Sequence, residues 1–501
     1  MKLAERLRAV LALDERAPAL EFGGEWRSWG ELRAIAVETD ALLTRSGIGE
    51  SACVGVMLRN RPELVGALLG LLITNRCVVS INPLVGAARL GEELRELRLV
   101  ALIGHADDLS AGAVFEAARS AGTLGIALTG DPMRPCRLVT GLQSVGPGPH
   151  RAPEPGVAVE MLTSGTTGQP KRVPLSYAAI EASLANSEHY ASGKAPAPKL
   201  QRGVGLLYNP LVHIGGLWHA IKSAHDGRAY CLLERFDVAS WADAVERHKL
   251  AVTGLVPTAM RAVLEANVPS ERLASLRAVL SGTAPLPVGI QLAFEERYGI
   301  PVLTTYGATE FAGAVAGWTA KLHREWAAKK RGSAGRAHPG CDLRIVDPEL
   351  GAVLGPNQSG LLEVRADQLA RRDWVRTNDR ARIDDDDFLW IEGRADGAIN
   401  RGGFKVDPAT VARALEKHPS VYEAAVVGMP DERLGEVPVA AIVLRAGAPA
   451  PSEDELKQVA RDSLPPYFVP VRVRVVEALP RTPSLKVSAP ALRALLAEPR
   501  A

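Results

Sequence analysis

Residues 163–171 read Thr163-Ser164-Gly165-Thr166-Thr167-Gly168-Gln169-Pro170-Lys171, after an apolar run at 157–162 and ahead of Ser176, whose hydroxyl suits the N-cap of a helix. Glycines let backbone N–H groups turn toward an anion, hydroxyls add donors, and a lysine supplies charge, so the loop suits a polyphosphate. It is not a Walker A loop, because Arg172 follows Lys171 where Ser or Thr is required and the glycine spacing differs. The same small polar residues also serve as a surface connection, so the segment alone leaves two readings open. Working outward, 54–58 reads as a strand, 63–73 as a helix and 77–81 as a strand ending at Asn82-Pro83. This β-α-β rhythm recurs at 251–256 and 278–280, which implies parallel sheet covered by helices.

The chain has 501 residues with 59 Lys+Arg against 57 Asp+Glu, a formal net charge of +2. That balance excludes a strongly basic nucleic-acid binder and a disordered acidic chain, and no nucleic-acid partner is expected. With 47% hydrophobic and 23% charged residues, the chain can bury large cores. Cys53, Cys77, Cys136, Cys231 and Cys341 lie far apart with no CxxC pair, so neither a disulfide framework nor a zinc site is expected. Charges interrupt the apolar stretch of the first 18 residues, which reads as an amphipathic helix rather than a secretory signal. The longest apolar run, 64–73, falls short of the roughly 20 residues that span a bilayer. The expectation is a cytoplasmic protein without a stable membrane anchor. Residues 192–198 read as a flexible surface loop.

After about Ala334 the texture changes to short strands at 343–346, 361–364 and 388–391, separated by Gly, Pro and Asp, as in hairpins or a small barrel-like sheet. Beyond 393–397 come helices at 408–418 and 452–463 and strands at 424–427, 439–444 and 471–475, an α+β arrangement of its own. The acidic run 384–387 precedes Phe388-Leu389-Trp390 and reads as a solvated hairpin turn rather than a metal site.

Three further segments carry chemistry. Thr304-Thr305-Tyr306-Gly307-Ala308-Thr309-Glu310 offers an aromatic face for a base and hard oxygens for Mg²⁺. Asp379 and Arg394, if on neighbouring strands, would grip a ribose diol and its phosphate, although in isolation a surface salt bridge between hairpin strands is the better account of the pair. The third is 479–487, where Lys486 sits in an exposed-looking Leu-Pro-Arg-Thr-Pro-Ser-Leu-Lys-Val stretch.

In this order and spacing the four segments resemble those of the adenylate-forming superfamily, which includes acyl-CoA synthetases, adenylation domains of peptide synthetases, and luciferases. The resemblance covers essentially the whole chain: 22–32 and 54–83 look like the family's N-terminal segment, and 209–216 is similar to its central His motif. It implies an α/β fold: a large N-terminal adenylation domain (1–393) of mixed, mainly parallel sheets sandwiched by helices, with a small barrel-like β subdomain. A smaller mobile α+β C-terminal domain (394–501) follows, hinged near Asp396.

The resemblance also assigns roles. Thr163, Ser164, Gly165, Thr166, Thr167, Gly168 and Lys171 cradle the ATP phosphates; Gly282, Thr283, Ala284, Tyr306 and Gly307 bound the adenine; Thr309 meets the α-phosphate; Asp379 and Arg394 hold the ribose. Glu310 and Thr166 meet Mg²⁺, and they join Lys486, which bridges carboxylate and α-phosphate, and His213 as the catalytic set. His213, Gly215, Gly216, Ala308, Phe311 and Gly313 line the acyl pocket, with a satisfied core histidine as the other reading of His213. Arg401, Gly402 and Gly403 form a tunnel for the pantetheine of coenzyme A.

The implied activity is an AMP-forming acid–thiol ligase using ATP, Mg²⁺ and coenzyme A on a medium to long fatty or aryl acid, a reading that Gly402-Gly403-Phe404-Lys405-Val406 and His213 favour. Two alternatives stay open. One is transfer of the acyl group to an amine or to a carrier protein, which would be separate because no carrier motif follows in the chain. The other is a catalytically impaired protein that binds nucleotide or acyl group. A homodimer is left open. Two departures matter. Leu485 replaces the family's usual Gly before Lys486, which predicts a different backbone path, and Asn378 replaces a Gly between Thr377 and Asp379, where Asn tolerates a left-handed conformation.

Overall fold

The expected β-α-β unit is present as strand Cys53–Met57, helix Pro62–Ile73 and strand Cys77–Ile81. Every residue of both strands is buried, as in parallel strands covered on both faces. The helix buries all but Glu63, so the apolar run belongs to a core rather than a membrane. The computed structural model describes residues 1–85, 87–110, 112–163, 171–187, 197–369, 373–395, 397–401, 404–431, 433–482 and 485–498. Among them no helix is long and apolar enough to cross a membrane.

The chain divides into two units, Met1–Asp342 with Arg365–Asp373, and Leu343–Val364 with Trp374–Ala501. The first unit contains a seven-stranded sheet in the order Cys136–Leu138, Leu124–Leu128, Ala101–His105, Cys53–Met57, Cys77–Ile81, Val157–Thr163, Lys171–Ser176. Its inner pairings are parallel, and only the two edge strands run antiparallel to their neighbours. A five-stranded sheet runs Val252–Gly254, Ala278–Ser281, Val302–Ala308, Gly313–Gly317, Arg336–Ala337, and a four-stranded sheet is built on Pro18–Phe22. The N-terminal helix Leu3–Leu11 buries Leu3, Leu7, Val10 and Leu11, the amphipathic stripe expected of it.

A four-stranded sheet, most of it in the second unit, runs Cys341–Val346, Gly360–Ala366, Val375–Ile383 and Leu389–Arg394 in that order. The sequence reading placed these strands in the large domain, whereas their contacts group most of them with the C-terminal segment. Val375–Ile383 was not foreseen: its residues are mostly polar or charged and neither face is strongly apolar. Beyond it, Val421–Asp431 and Gly435–Leu444 form a long antiparallel pair flanked by Arg472–Val475 and Ile399–Arg401, with helices Pro408–Leu415 and Glu453–Arg461. Asp407 and Ser452 cap those helices through their side chains.

Candidate active site

In the first unit, strands Val157–Thr163 and Lys171–Ser176 pair so that Thr163 faces Lys171 across the hairpin. Ser164, Gly165, Thr166, Thr167 and Gly168 lie outside the described residues, as do Asp396, Gly402 and Gly403. The flanks of the phosphate segment are firmly anchored. Arg172 pairs with Glu93, reaches the Ser80 carbonyl at 3.3 Å and lies 3.5 Å from buried Glu160, which Arg151 also binds at 3.1 Å. Because side chains alternate along a strand, Arg172 faces inward and its neighbour Lys171 is exposed. Ser176 caps the following helix, Tyr177–Ser187, accepting from the Ala179 N–H at 3.0 Å.

The adenine-side segments sit at the ends of neighbouring strands, where Ser281 pairs with Thr304. Thr283 has φ +69°, an uncommon conformation for a β-branched residue, and both it and Ala284 are exposed. Tyr306 pairs with Ala316, after which Thr309–Phe311 forms a short turn that presents Glu310 to solvent and buries Phe311. The sequence reading missed what fixes this turn. Ser183 donates to the Ala312 carbonyl at 2.8 Å and accepts from Trp218 Nε1 at 2.9 Å. Fully buried Gln368 donates to the Phe311 carbonyl at 2.6 Å and accepts from Asn186 Nδ2 at 3.2 Å. These residues come from distant parts of the chain, and no local pattern announces them.

His213 is the N-cap residue of helix Ile214–Asp226. The helix comes so close to the preceding turn that a Cβ on Gly216 would lie 2.2 Å from the Pro210 carbonyl oxygen and 2.5 Å from that of Asn209. Gly216, expected at the acyl pocket, thus serves this close approach. Buried Asn60, also missed, holds the turn by donating to the carbonyls of Tyr208, Asn209 and Leu233 at 3.0–3.2 Å and accepting from Leu211 N–H at 2.9 Å.

In the second unit, Asp379 and Arg394 are directly paired on neighbouring antiparallel strands, with Nη1 4.0 Å from Oδ1. Thr377 orders this strand, donating to the Leu362 carbonyl at 2.8 Å and accepting from Asp379 N–H at 3.1 Å. Asn378 lies within the extended strand, so a left-handed conformation is not called upon. Lys486 joins the pair: desolvation and then the charge of Arg394 lower its pKa from the ordinary lysine value, against the opposing pull of Asp379. Leu485 has φ +64°, the left-handed conformation a glycine adopts freely. The turn closes with Thr482 N–H on the Lys486 carbonyl at 2.7 Å and Lys486 N–H on Thr482 Oγ1 at 3.2 Å. Arg481 steadies it by pairing with Glu423 and donating to the Leu485 carbonyl at 2.9 Å.

Arg401, expected at a pantetheine tunnel, donates to the carbonyls of Tyr467 and Val469 at 2.9 and 3.0 Å. The acidic run 384–387 does make a hairpin turn, yet Asp384 is buried rather than solvated. Its carboxylate accepts from the N–H groups of Asp386 and Phe388, each at 3.0 Å, and from Trp390 Nε1 at 2.8 Å.

Against known proteins, the family model for the AMP-binding enzyme matches residues 7–373, and that for the AMP-binding enzyme C-terminal domain matches 410–486. The chain is 30% identical to 4-coumarate–CoA ligase 3 of Oryza sativa subsp. japonica, over 99% of this chain and 92% of that protein. Among solved structures it is similar to o-succinylbenzoate CoA synthetase of Bacillus subtilis bound to its acyl-adenylate intermediate, with TM-score 0.77, 25% identity, and coverage of 99% and 98%. It is likewise similar to an amide bond synthetase of Marinactinospora thermotolerans, with TM-score 0.80, 25% identity, and coverage of 98% and 99%.

Proposed function

The chain belongs to the AMP-binding enzyme family, and from that premise we propose that it is an ATP-dependent carboxylate–CoA ligase. It forms an acyl-AMP and then an acyl-CoA thioester, releasing pyrophosphate and AMP. The observation that carries the reading is the cross-strand pairing of Asp379 with Arg394 in the second unit, whose charges both act on exposed Lys486.

A carboxylate does not condense with a thiol in water, because its oxygen is a poor leaving group. In the first step a carboxylate oxygen attacks the α-phosphorus of ATP and the bond to pyrophosphate breaks. Lys486 would stabilise the charge that grows on the phosphoryl and bridging oxygens, and Lys171 that on the departing phosphates. Asp379 would accept from the ribose hydroxyls, with Arg394 beside it. Glu310, an exposed carboxylate at a rigidly held turn, fits Mg²⁺ as a hard-oxygen ligand, and with Thr166 it would hold the ion. Bound there, Mg²⁺ supplies positive charge to phosphate oxygens. In the second step the thiol sulfur attacks the acyl carbon and AMP leaves. For this, the segment 394–501 would turn about Asp396, withdrawing Lys486, with Gly402 and Gly403 bordering the pantetheine path and Arg401 bracing the strand that leads to them.

The relatives named as 4-coumarate–CoA ligases favour an aryl acid as substrate. A second reading, in which an amine takes the acyl group, is favoured by the likeness to the amide bond synthetase. The reading of a chain that only binds rested on Leu485, whose left-handed backbone keeps the glycine-like turn before Lys486. The test is product mass spectrometry on the purified protein with ATP, Mg²⁺ and a panel of aryl and aliphatic acids, with and without CoA and with simple amines. A CoA-dependent acyl-CoA is expected; an amide formed in preference selects the second reading, and no adenylate from any acid overturns both.

A further inference from the structure

Three metal-ligating side chains from distant parts of the first unit meet at a place that no residue of the candidate active site shares. Glu21 lies on strand Pro18–Phe22 and Cys231 on strand Ala229–Leu232, and the two strands run parallel with Glu21 registered against Cys231. Partners in register point to the same face of a sheet, so carboxylate and thiol stand side by side, while Leu20 and Tyr230 turn to the other face and join the core. Helix Val238–His248 ends at this pair, and its last residue sets Nε2 against Glu21 Oε2. The oxygen, sulfur and nitrogen all lie within 4.8 Å of one another.

The surroundings hold the three donors toward each other and away from bulk water. Glu21 is 1% exposed and Cys231 3%, and the His248 side chain is 10% exposed. Arg247 binds the second carboxylate oxygen of Glu21, which leaves Oε2 directed at His248. The ring of Trp26 meets the imidazole edge-on, with centroids 5.8 Å apart and planes at 82°. The Arg247 guanidinium also reaches the thiol, but its side chain is 45% exposed, so water screens much of its charge. An ion pair among Glu21, Arg247 and His248 accounts for a buried carboxylate; the thiol adds a third, softer donor that such a pair does not need.

We propose that Glu21, Cys231 and His248 bind one Zn²⁺, through Oε2, the thiolate sulfur and Nε2, with water completing a tetrahedron. Borderline-soft zinc takes this mixture of oxygen, sulfur and nitrogen, which neither Mg²⁺ nor Ca²⁺ favours. Burial and the Glu21 carboxylate push the Cys231 thiol up to about 12, so the ion binds in exchange for that proton, which passes to solvent. The imidazole turns its lone pair to the ion by carrying its proton on Nδ1, and the direct contact between Glu21 and His248 opens to admit the metal. The ion is a structural tie between residues as far apart in the chain as 21 and 248, which is why no local spacing announces it. None of its ligands is assigned to nucleotide, acyl group or pantetheine, so the site does not depend on the ligase reading.

The test uses the purified full chain, stripped with a chelator and free of ATP and Mg²⁺. Zn²⁺ is titrated against a chromophoric indicator and Co²⁺ serves as the optical probe, for the wild type, Cys231→Ser and His248→Gln, with circular dichroism of the metal-free forms as the control for folding. The wild type is expected to bind one equivalent of Zn²⁺ that both variants lose or hold at least about tenfold more weakly. Co²⁺ should give the wild type a thiolate-to-cobalt charge-transfer band in the near ultraviolet that Cys231→Ser lacks. Zn²⁺ should raise the Tm of the wild type and leave that of Cys231→Ser unchanged. If the serine variant does not fold, Cys231→Ala takes its place. A wild type that binds no saturable equivalent, or binds Co²⁺ without the band, overturns the proposal and leaves an ion pair only; an equivalent that Cys231→Ser retains at full affinity overturns it by placing the ion elsewhere.

Discussion

Gly216→Ala puts the packing of helix Ile214–Asp226 to a quantitative test. The new Cβ would stand 2.2 Å from the Pro210 carbonyl oxygen, where ordinary contact begins near 3.4 Å, so a gap of about 1.2 Å must open. Asn60 pins the 208–211 turn with three hydrogen bonds and ties it to the Leu233 carbonyl with a fourth, so the helix must move instead, and His213 at its N-cap moves with it. Alanine returns about 1 kcal/mol of helix propensity. Overpacking of this kind costs about 1–3 kcal/mol or more, and the carbonyls cannot yield as a flexible side chain would. We expect a net loss of about 2 kcal/mol, seen as a Tm lower by about 2–5 °C. A shift near 1 Å in a substrate wall is expected to lower kcat/KM for the acid by about 10–100-fold, with a much smaller change in KM for ATP. Calorimetry and steady-state assays read both. A variant as stable as the wild type, with unchanged kcat/KM, would refute the close approach and the placement of His213 beside the acyl group.

Three other expectations follow from single contacts. Asn60→Ala leaves several backbone groups of the 208–211 turn without partners and should cost about 2–4 kcal/mol in denaturant unfolding; a loss under about 0.5 kcal/mol would mean water replaces the amide. Burial alone would raise the Glu295 pKa, but bonds from His323, the Val302 N–H, Arg331 and Gln291 outweigh it and bring it down to about 2. A depressed carboxylate pKa contributes stability above the unfolded value of about 4.3 that is lost as pH falls through the folded value, so the Tm gap between wild type and Glu295→Gln should shrink from pH 4.5 toward 2. A gap constant across that window would assign the effect to packing. Leu485→Gly should keep adenylation at least at the wild-type rate, while Leu485→Val, with a β-branched side chain at φ +64°, should slow it by about tenfold; equal rates would show that the turn relaxes freely.

What the sequence made legible was local. The buried strands Cys53–Met57 and Cys77–Ile81 follow from largely apolar runs, and the Ser176 cap follows from a hydroxyl placed just ahead of a helix. The neighbouring-strand condition set for Asp379 and Arg394 is met residue against residue. Strand Val375–Ile383 escaped because its charged residues are held by cross-strand ion pairs such as Arg376 with Glu363 rather than by an apolar face. Asn60, Ser183, Trp218 and Gln368 escaped for a different reason: each acts on backbone far away in the chain, and such partners have no sequence spacing to betray them. Leu485 shows the limit of residue type as a guide. A position where the family resemblance expects glycine demands a left-handed backbone, and here a leucine supplies it, held by Arg481 and Thr482.

The measurement that bears most directly on the two-step ligase account is to separate its halves in Lys486→Ala. The account predicts acid-dependent, CoA-independent pyrophosphate exchange in the wild type that the variant loses, while the variant still converts synthetic acyl-AMP and CoA to acyl-CoA at a rate near that of the wild type. Equal loss of both half-reactions, or exchange undiminished without the lysine, would contradict it.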